Sequence, residues 1–238
     1  DIMAREIKIG TVQLITENIG SDYHYRSLSK GVVDSRDLVY FISLIVVFLQ
    51  LTVFSIKNKC LFVKNIDLTK LQFEFPENIA VMNVECGKVI VELYPEVAPK
   101  AVERFKYFLE NHLYDGTTFY RVIEDTLMQA GDLEFGHKDT INYSKVGSGK
   151  SGLGNLKSEL SDTFEFNAGS IALARGDTFD TEDSEFFITL KDIPIYRGEY
   201  TPLGKVIYGM DALEKIKSGN KSAYVLRPDY INYFKLLD

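Results

Sequence analysis

The sequence predicts a mainly β domain, preceded by an N-terminal extension that contains an apolar segment. Three observations support this fold class. Short runs of alternating apolar and polar residues recur from about residue 79 onward, turn signals rich in glycine, proline and asparagine separate them, and only two stretches have helical spacing. Antiparallel strands at this spacing favour a closed β-barrel, so we expect about eight strands with one early and one late helix over residues 76–238.

The elements of this domain follow from local patterns taken in order. A hairpin signal at Cys86-Gly87 joins the first two strands, and Pro99 opens an early helix that ends near Asn111. A late helix, Met210–Ile216, begins on Gly209. The predicted strands are Ile79–Glu85, Lys88–Leu93, Thr117–Val122, Thr126–Ala130, Ser170–Ala174, Glu185–Leu190, Tyr200–Ile207 and Tyr230–Leu236.

Three segments precede the domain: residues 1–37 are polar, Leu38–Ile56 carries no charge, and residues 57–75 have the composition of a linker. About 20 apolar residues in a helix cross a bilayer, so the favoured interpretation of Leu38–Ile56 is a transmembrane or signal-anchor helix. A buried core helix or strand pair is the main alternative, because the segment is β-branched and contains Gln50. A cleaved signal peptide is least favoured, since no small-x-small cleavage site follows and a long polar stretch precedes.

The sequence does not fix the orientation of such an anchor. Basic residues flank the apolar segment on both sides, with Arg36 before it and Lys57 and Lys59 after it. We expect a membrane-anchored protein whose folded domain is periplasmic or otherwise extracytoplasmic, with a cytoplasmic domain as the alternative.

Composition excludes several classes of function. The net charge of −7 argues against a general nucleic-acid binder, which would carry a basic face. The three histidines are scattered and no Cys/His spacing is of the zinc type, so we expect neither a metal site nor a cofactor. Two cysteines, Cys60 and Cys86, are too few for a disulfide framework, and a bridge between them is the less favoured alternative.

A glycine-rich stretch, Gly147–Ser151, has the residue types of a phosphate-binding loop but not its pattern. That pattern requires a glycine five positions before Gly149, where this chain has Ser144. The stretch belongs to a long polar segment, residues 132–161, and loops of that length in compact domains are usually functional. We expect its glycines to provide flexibility rather than a phosphate site.

The most informative part of the chain is Tyr114–Asp132, where one arginine lies in an aromatic run and an amide precedes two small residues. A later stretch, Ser184–Ile188, contains a pair of phenylalanines. With three further motifs in the same order, these stretches resemble the cyclophilin-type peptidyl-prolyl isomerases from about Ile79 to the C-terminus, and the variants resemble bacterial members. The motifs are YDGTTFYRVI at 114–123, QAGD at 129–132, IALAR at 171–175, SEFFI at 184–188, GEYTPLGKV at 198–206 and GM at 209–210.

The resemblance implies an eight-stranded antiparallel β-barrel capped by two helices, and an activity that speeds rotation about X-Pro bonds. Amide resonance gives this rotation a barrier of roughly 18–20 kcal/mol. A guanidinium directed at the amide nitrogen lowers it, because the nitrogen of the twisted amide is the better acceptor. By resemblance Arg121 supplies this group, Gln129 holds the arginine or the substrate backbone, and Phe187 forms the floor of the proline pocket. Alternation along the strand leaves Phe186 for the core.

The resemblance also assigns the substrate-binding residues. They are Thr126, Leu127, Ala174, Arg175, Glu185, Ile195, Tyr196 and Tyr200. Several depart from the family pattern: Thr126 stands where phenylalanine is usual, Glu185 where glutamine is usual, and Ile195 where the family has the tryptophan that binds cyclosporin. We therefore expect a less aromatic pocket, reduced activity and weak cyclosporin binding.

Two functions follow, both with proline-containing polypeptides as partners. The favoured one is a peptidyl-prolyl isomerase that assists protein folding. The alternative is a proline-peptide binding or chaperone module with little or no turnover, and the changes at Thr126, Leu127 and Glu185 are the reason to keep it. An isomerisation assay separates the two.

Overall fold

A computed structural model describes residues 35–57, 59–61, 63–219 and 223–237 of the chain. These residues fall into two compact units, of which the first ends at Lys59 and the second begins at Cys60. Most of the predicted polar extension, residues 1–37, lies outside the described residues.

The first unit contains one long helix, α1, from Ser35 to Lys57. Its span Leu38–Ser55 has a mean hydropathy of 2.3, none of this span is buried, and it is long and apolar enough to cross a membrane. Ser43 Oγ donates to the carbonyl three residues earlier at 2.7 Å and Thr52 Oγ1 to the carbonyl four residues earlier at 2.8 Å, so neither hydroxyl needs a partner outside the helix. The strand pair considered for this segment is therefore wrong.

The second unit is an antiparallel sheet of eight strands with two helices, which confirms the predicted fold class. The helices are α2, Pro99–Glu110, and α3, Met210–Leu213. The strands are β1 Ile79–Val84, β2 Gly87–Leu93, β3 Arg121–Ile123, β4 Leu127–Ala130, β5 Ser170–Leu173, β6 Phe186–Thr189, β7 Pro202–Tyr208 and β8 Tyr233–Leu236. Their order in the curled sheet is β3-β4-β6-β5-β7-β2-β1-β8.

Irregular chain, rather than a regular ladder, connects the two edges of the sheet. Two isolated bridges join the β3 edge to the chain before β8: Thr118, before β3, pairs with Tyr230, and Arg121, the first residue of β3, pairs with Tyr224. Backbone hydrogen bonds join the same two parts of the chain, for example from Phe119 N–H to the Asp229 carbonyl at 2.9 Å. The predicted strand from residue 117 is therefore shorter in the structure, because its first half pairs irregularly.

The core lies between the concave face of the sheet and α2. Five aromatic side chains meet there edge to face or tilted, with ring centroids about 5–6 Å apart. They are Phe105, Phe108, Tyr114, Phe186 and Phe234, and each is at most 1 % exposed. Phe186 is thus a core residue, as the strand alternation predicts.

The segment predicted as a linker packs on the outside of the sheet. We call its described residues from Cys60 to Phe75 the clasp. Apolar side chains of the clasp, including Ile66 and Phe73, cover a cluster of β1 and β2 residues around Val81. The backbone N–H of Lys64 donates to the Asp211 carboxylate at 2.7 Å. The clasp is therefore part of the folded domain, which begins before residue 76.

A disulfide between Cys60 and Cys86 fixes the start of the clasp, so the less favoured alternative for these two cysteines is the one the structure has. Val84 pairs with Gly87, which makes Glu85-Cys86 the two-residue turn of the β1–β2 hairpin, one residue earlier than predicted. Two cysteines give no framework pattern, and only the packing of the clasp on this hairpin brings their sulfur atoms together.

Candidate active site

Cross-strand pairing aligns the predicted catalytic residues in one row. Arg121 of β3 lies opposite Gln129 of β4, Gln129 opposite Phe187 of β6, and Phe187 opposite Ala172 of β5. Residues directly opposite each other in a sheet point to the same face. The neighbouring row, which includes Met128, faces the core, so the Arg121 row lies on the convex face of the sheet.

Arg121 is bound to Gln129, and Gln129 is bound on its other side to a tyrosine–carboxylate pair. Arg121 Nη1 donates to Gln129 Oε1 at 3.0 Å. Gln129 Nε2 donates to Tyr120 Oη at 2.5 Å and to Glu185 Oε2 at 2.8 Å. The Tyr120 hydroxyl itself donates to Glu185 Oε2 in a short hydrogen bond. Desolvation raises the pKa of the Glu185 carboxyl above its usual range, although these two hydrogen bonds oppose that effect.

Phe187 is the floor of an aromatic pocket next to Arg121. Its ring lies 5.0 Å from that of Tyr200, 5.7 Å from that of Tyr196 and 6.4 Å from that of Phe166, measured between centroids. The expectation of a less aromatic pocket rests on the rings absent at Thr126 and Ile195. In the structure Tyr196, Tyr200 and Phe166 surround Phe187 with other rings. The pocket opens into a cavity of about 400 Å³. Its lining residues are Arg121, Leu127, Gln129, Ala174, Arg175, Gly176, Asp177, Phe187, Tyr196 and Tyr200.

Arg175 forms the wall between this cavity and a second one. Its guanidinium lies 4.5 Å from the Phe179 ring and 5.0 Å from the Tyr200 ring, which is cation–π geometry. Its Nε donates to the Glu199 carbonyl at 3.0 Å, and its Nη2 lies 3.3 Å from the Glu199 carboxylate. These contacts hold the Arg175 guanidinium over the Tyr200 ring, so the two side chains together form one wall of the cavity.

The second cavity, of about 300 Å³, lies on the other side of Gln129 and Glu185 and includes the glycine-rich stretch. Asp132 is fully buried beneath this stretch and accepts from Gly147 N at 2.7 Å and from Gly149 N at 3.2 Å. A Cβ at Gly149 would overlap Asp132 Oδ1. Gly149 therefore allows close approach to the carboxylate, whereas Gly147 has a φ of +94° and lies against the Tyr120 ring. The expectation that these glycines provide flexibility is wrong.

Two predicted substrate-binding residues do not line either cavity. Thr126 lies in the β3–β4 turn, where its N–H donates to the Ile123 carbonyl at 3.0 Å. Ile195 is 78 % exposed and also lies outside both linings. Two further residues belong to the site but were not predicted. Tyr120 is next to Arg121 in the aromatic run, and Phe166 lies in irregular chain with no periodic pattern to mark it.

The fold and site together define a curled antiparallel β-sheet protein that carries a guanidinium beside an aromatic pocket. A family model described as cyclophilin type peptidyl-prolyl cis-trans isomerase matches residues 79–235. A probable peptidyl-prolyl cis-trans isomerase of Brucella suis is 38% identical over 159 residues, covering 66% of this chain and 81% of that protein. One of Acinetobacter baylyi is 31% identical over 148 residues, covering 60% and 73%.

Solved structures agree on the fold. A cyclophilin type peptidyl-prolyl cis-trans isomerase of Cryptosporidium parvum, crystallised in the presence of the dipeptide Ala-Pro, aligns with a TM-score of 0.58 at 23% identity and covers 67% of this chain and 99% of that one. A cyclophilin of Hirschia baltica aligns with a TM-score of 0.56 at 19% identity, covering 68% and 74%. The chain therefore belongs to the cyclophilin-type peptidyl-prolyl cis-trans isomerases, and its bacterial relatives agree with the bacterial character of its variants.

Proposed function

We propose that this protein catalyses cis–trans isomerisation of X-Pro bonds in folding polypeptides, with Arg121 as the catalytic residue. The observation that carries the proposal is that Gln129 holds Arg121 at 3.0 Å beside the pocket floored by Phe187. A proline ring seated in this pocket puts its amide nitrogen next to the guanidinium.

Binding relies on the aromatic walls. Phe187, Tyr196 and Tyr200 surround the site of the proline ring, and Leu127 closes it from β4. Burying a side chain of this size contributes about 1.5–3 kcal/mol. The ring is thereby fixed while the chain before it stays free to rotate.

Catalysis relies on the difference between the planar and the twisted amide. In the planar amide the nitrogen lone pair is delocalised, and in the twisted amide it becomes an acceptor. A guanidinium has several N–H donors and stays charged at any working pH, so Arg121 donates more strongly to the twisted form and lowers the barrier. No proton is transferred and no covalent bond forms.

We also propose that the protein is anchored in a membrane by α1, with the folded domain on the extracytoplasmic side. The apolar, exposed span Leu38–Ser55 supports the anchor. The Cys60–Cys86 disulfide supports the extracytoplasmic location of the folded domain, because disulfides persist in oxidising compartments. Its substrates on that side are exported chains. Cyclosporin binds weakly in this proposal, because Ile195 supplies no indole and points into solvent.

Exchange NMR on an Ala-Pro peptide tests the isomerase. Protein at a small fraction of the peptide concentration is expected to produce cis–trans exchange cross-peaks at mixing times too short for the uncatalysed reaction, which takes tens of seconds or more. Line broadening by bound peptide without added exchange would instead establish the binding or chaperone module and overturn the isomerase.

A further inference from the structure

A partly buried carboxylate lies next to the catalytic groove without contacting Arg121 directly. Glu185 immediately precedes β6 and accepts two hydrogen bonds on one oxygen, from Tyr120 Oη and from Gln129 Nε2. Tyr120 is 1 % exposed, and its oxygen in turn accepts from Gln129 Nε2. Both N–H groups of the Gln129 amide therefore have acceptors on this side.

Donor and acceptor chemistry gives the Gln129 amide a single orientation. An ionised carboxylate only accepts hydrogen bonds, and a guanidinium only donates them. An amide between Glu185 and Arg121 satisfies both neighbours only with its nitrogen toward the carboxylate and its oxygen toward the guanidinium. The reverse orientation would oppose two acceptors on one side and two donors on the other.

We propose that ionised Glu185, together with Tyr120, is a positioning residue that fixes the Gln129 amide so that its oxygen holds Arg121 in the catalytic geometry. The inference rests on the proposed isomerase function. Protonation of Glu185 gives the carboxyl an O–H donor beside its remaining acceptor, so the orientation of Gln129 is no longer imposed and a flipped amide can form. The amide nitrogen would face Arg121, and the guanidinium would lose its acceptor.

Rotation about an amide transfers no proton, so a pH dependence of catalysis reports on the protein. Burial of Glu185 raises its pKa, so its carboxylate is lost at a higher pH than that of an exposed glutamate. Activity is therefore full above this pKa and falls as the pH drops through it. The ionisable groups near Glu185 are Tyr120 before β3, Asp132 after β4, Lys150 in the glycine-rich stretch, Asp183 and Arg175 in the lining of the same cavity, and the fully buried Tyr114. Among them Asp132 raises the pKa, whereas Tyr120 and Lys150 lower it.

The test is the pH profile of kcat/KM by exchange NMR, with circular dichroism at each pH to confirm folding. In the wild type kcat/KM is expected to fall below the Glu185 pKa, by at most about tenfold for each pH unit. In Glu185→Gln, where the side chain accepts but does not titrate, the ratio of kcat/KM at neutral pH to that at acidic pH stays close to one.

Two further variants separate this effect from others. In Tyr120→Phe, loss of a hydrogen bond to the carboxylate raises the pKa of Glu185, so the midpoint of the pH profile moves to higher pH. Glu124→Gln, an exposed carboxylate in the β3–β4 turn, keeps the wild-type midpoint.

The outcomes separate this inference from the isomerase proposal. If the wild type gives no exchange at neutral pH, the isomerase proposal fails. If it gives exchange with a flat profile, or if the acid limb persists in Glu185→Gln, the positioning role fails and the isomerase stands. If Glu185→Gln does not fold, the Tyr120→Phe midpoint decides: a shift upward supports the role, and an unchanged or lower midpoint overturns it.

Discussion

Gln129 determines where Arg121 lies, and it does so from the middle of a hydrogen-bonded chain. Arg121 Nη1 donates to Gln129 Oε1 at 3.0 Å, and Gln129 Nε2 donates to Glu185 Oε2 at 2.8 Å. A long arginine side chain loses about 2 kcal/mol of conformational free energy when it is fixed in one rotamer. The hydrogen bond from Arg121 to the Gln129 amide offsets part of this loss before substrate binds.

At the same scale, Phe187 and Phe186 form a matched pair for mutation. Phe187→Leu is expected to weaken peptide affinity by about tenfold, because it removes a ring from the pocket floor. A tenfold change in affinity corresponds to a change in binding free energy of about 1.4 kcal/mol. Phe186→Leu affects the core instead and is expected to lower the free energy of unfolding by about 1–2 kcal/mol without changing affinity. Peptide titration by NMR and urea unfolding measure the two quantities. Equal loss of affinity in both variants would contradict the assignment of Phe187 to the pocket.

Single residues also show how far a sequence locates a site. The alternation of strands separates Phe187 from Phe186 because it depends only on local geometry. Thr126 lies in the turn between β3 and β4 and lines neither cavity, so its assignment to the substrate site stays a prediction from its place in the motif. Tyr120 was not predicted because its partners lie elsewhere in the chain: Gln129 lies in β4 and Glu185 immediately precedes β6.

At the scale of elements, the clasp is the part of the domain that local patterns do not reveal. Its apolar residues are irregularly spaced and have no strand or long helix to repeat a period. They acquire a role only when β1 and β2 present an apolar surface on their outer face. The eight strands, by contrast, were predictable to within a few residues, because each has its own alternation and turn signals.

The disulfide of the clasp leads to a prediction about stability. Cys60 and Cys86 close a loop with a sequence separation of 26, and a bridge of this size contributes about 3 kcal/mol. The double variant Cys60→Ser with Cys86→Ser is expected to unfold at lower urea concentration by this amount. The exchange rate per folded molecule should not change, because β3, β4 and β6 carry the site. Wild-type protein treated with a reductant is the control. A double variant as stable as the oxidised wild type would show that the bridge contributes nothing.

At the scale of the whole molecule, the helix and the disulfide lie close together in the chain. Helix α1 ends at Lys57 and the disulfide begins at Cys60. A membrane anchor here requires the chain to leave the bilayer directly into an oxidising compartment. Hydropathy suggested the anchor from the sequence, but balanced flanking charges left its side open, and only the pairing of Cys86 indicates it.

This arrangement predicts how the protein partitions. The full chain is expected to sediment with membranes and to resist extraction by high salt, because an apolar helix and not surface charge holds it. A chain beginning at Lys59 should be soluble and keep its activity, whereas one beginning at Pro76 loses the clasp and leaves Cys86 unpaired. Protease added from the extracytoplasmic side should release the folded domain. Full-length protein that stays in the supernatant without detergent would contradict the anchor.

The central claim is that Arg121, held by Gln129 beside the Phe187 pocket, stabilises the twisted amide. The most direct measurement is kcat/KM for an Ala-Pro peptide in Arg121→Ala, alongside Arg227→Ala, which removes an exposed arginine outside both cavities. We predict a loss of about 100-fold or more in Arg121→Ala, as for removal of one preorganised donor, with peptide affinity within about threefold of wild type and no change in Arg227→Ala. A folded Arg121→Ala protein that catalyses exchange at the wild-type rate would contradict the claim.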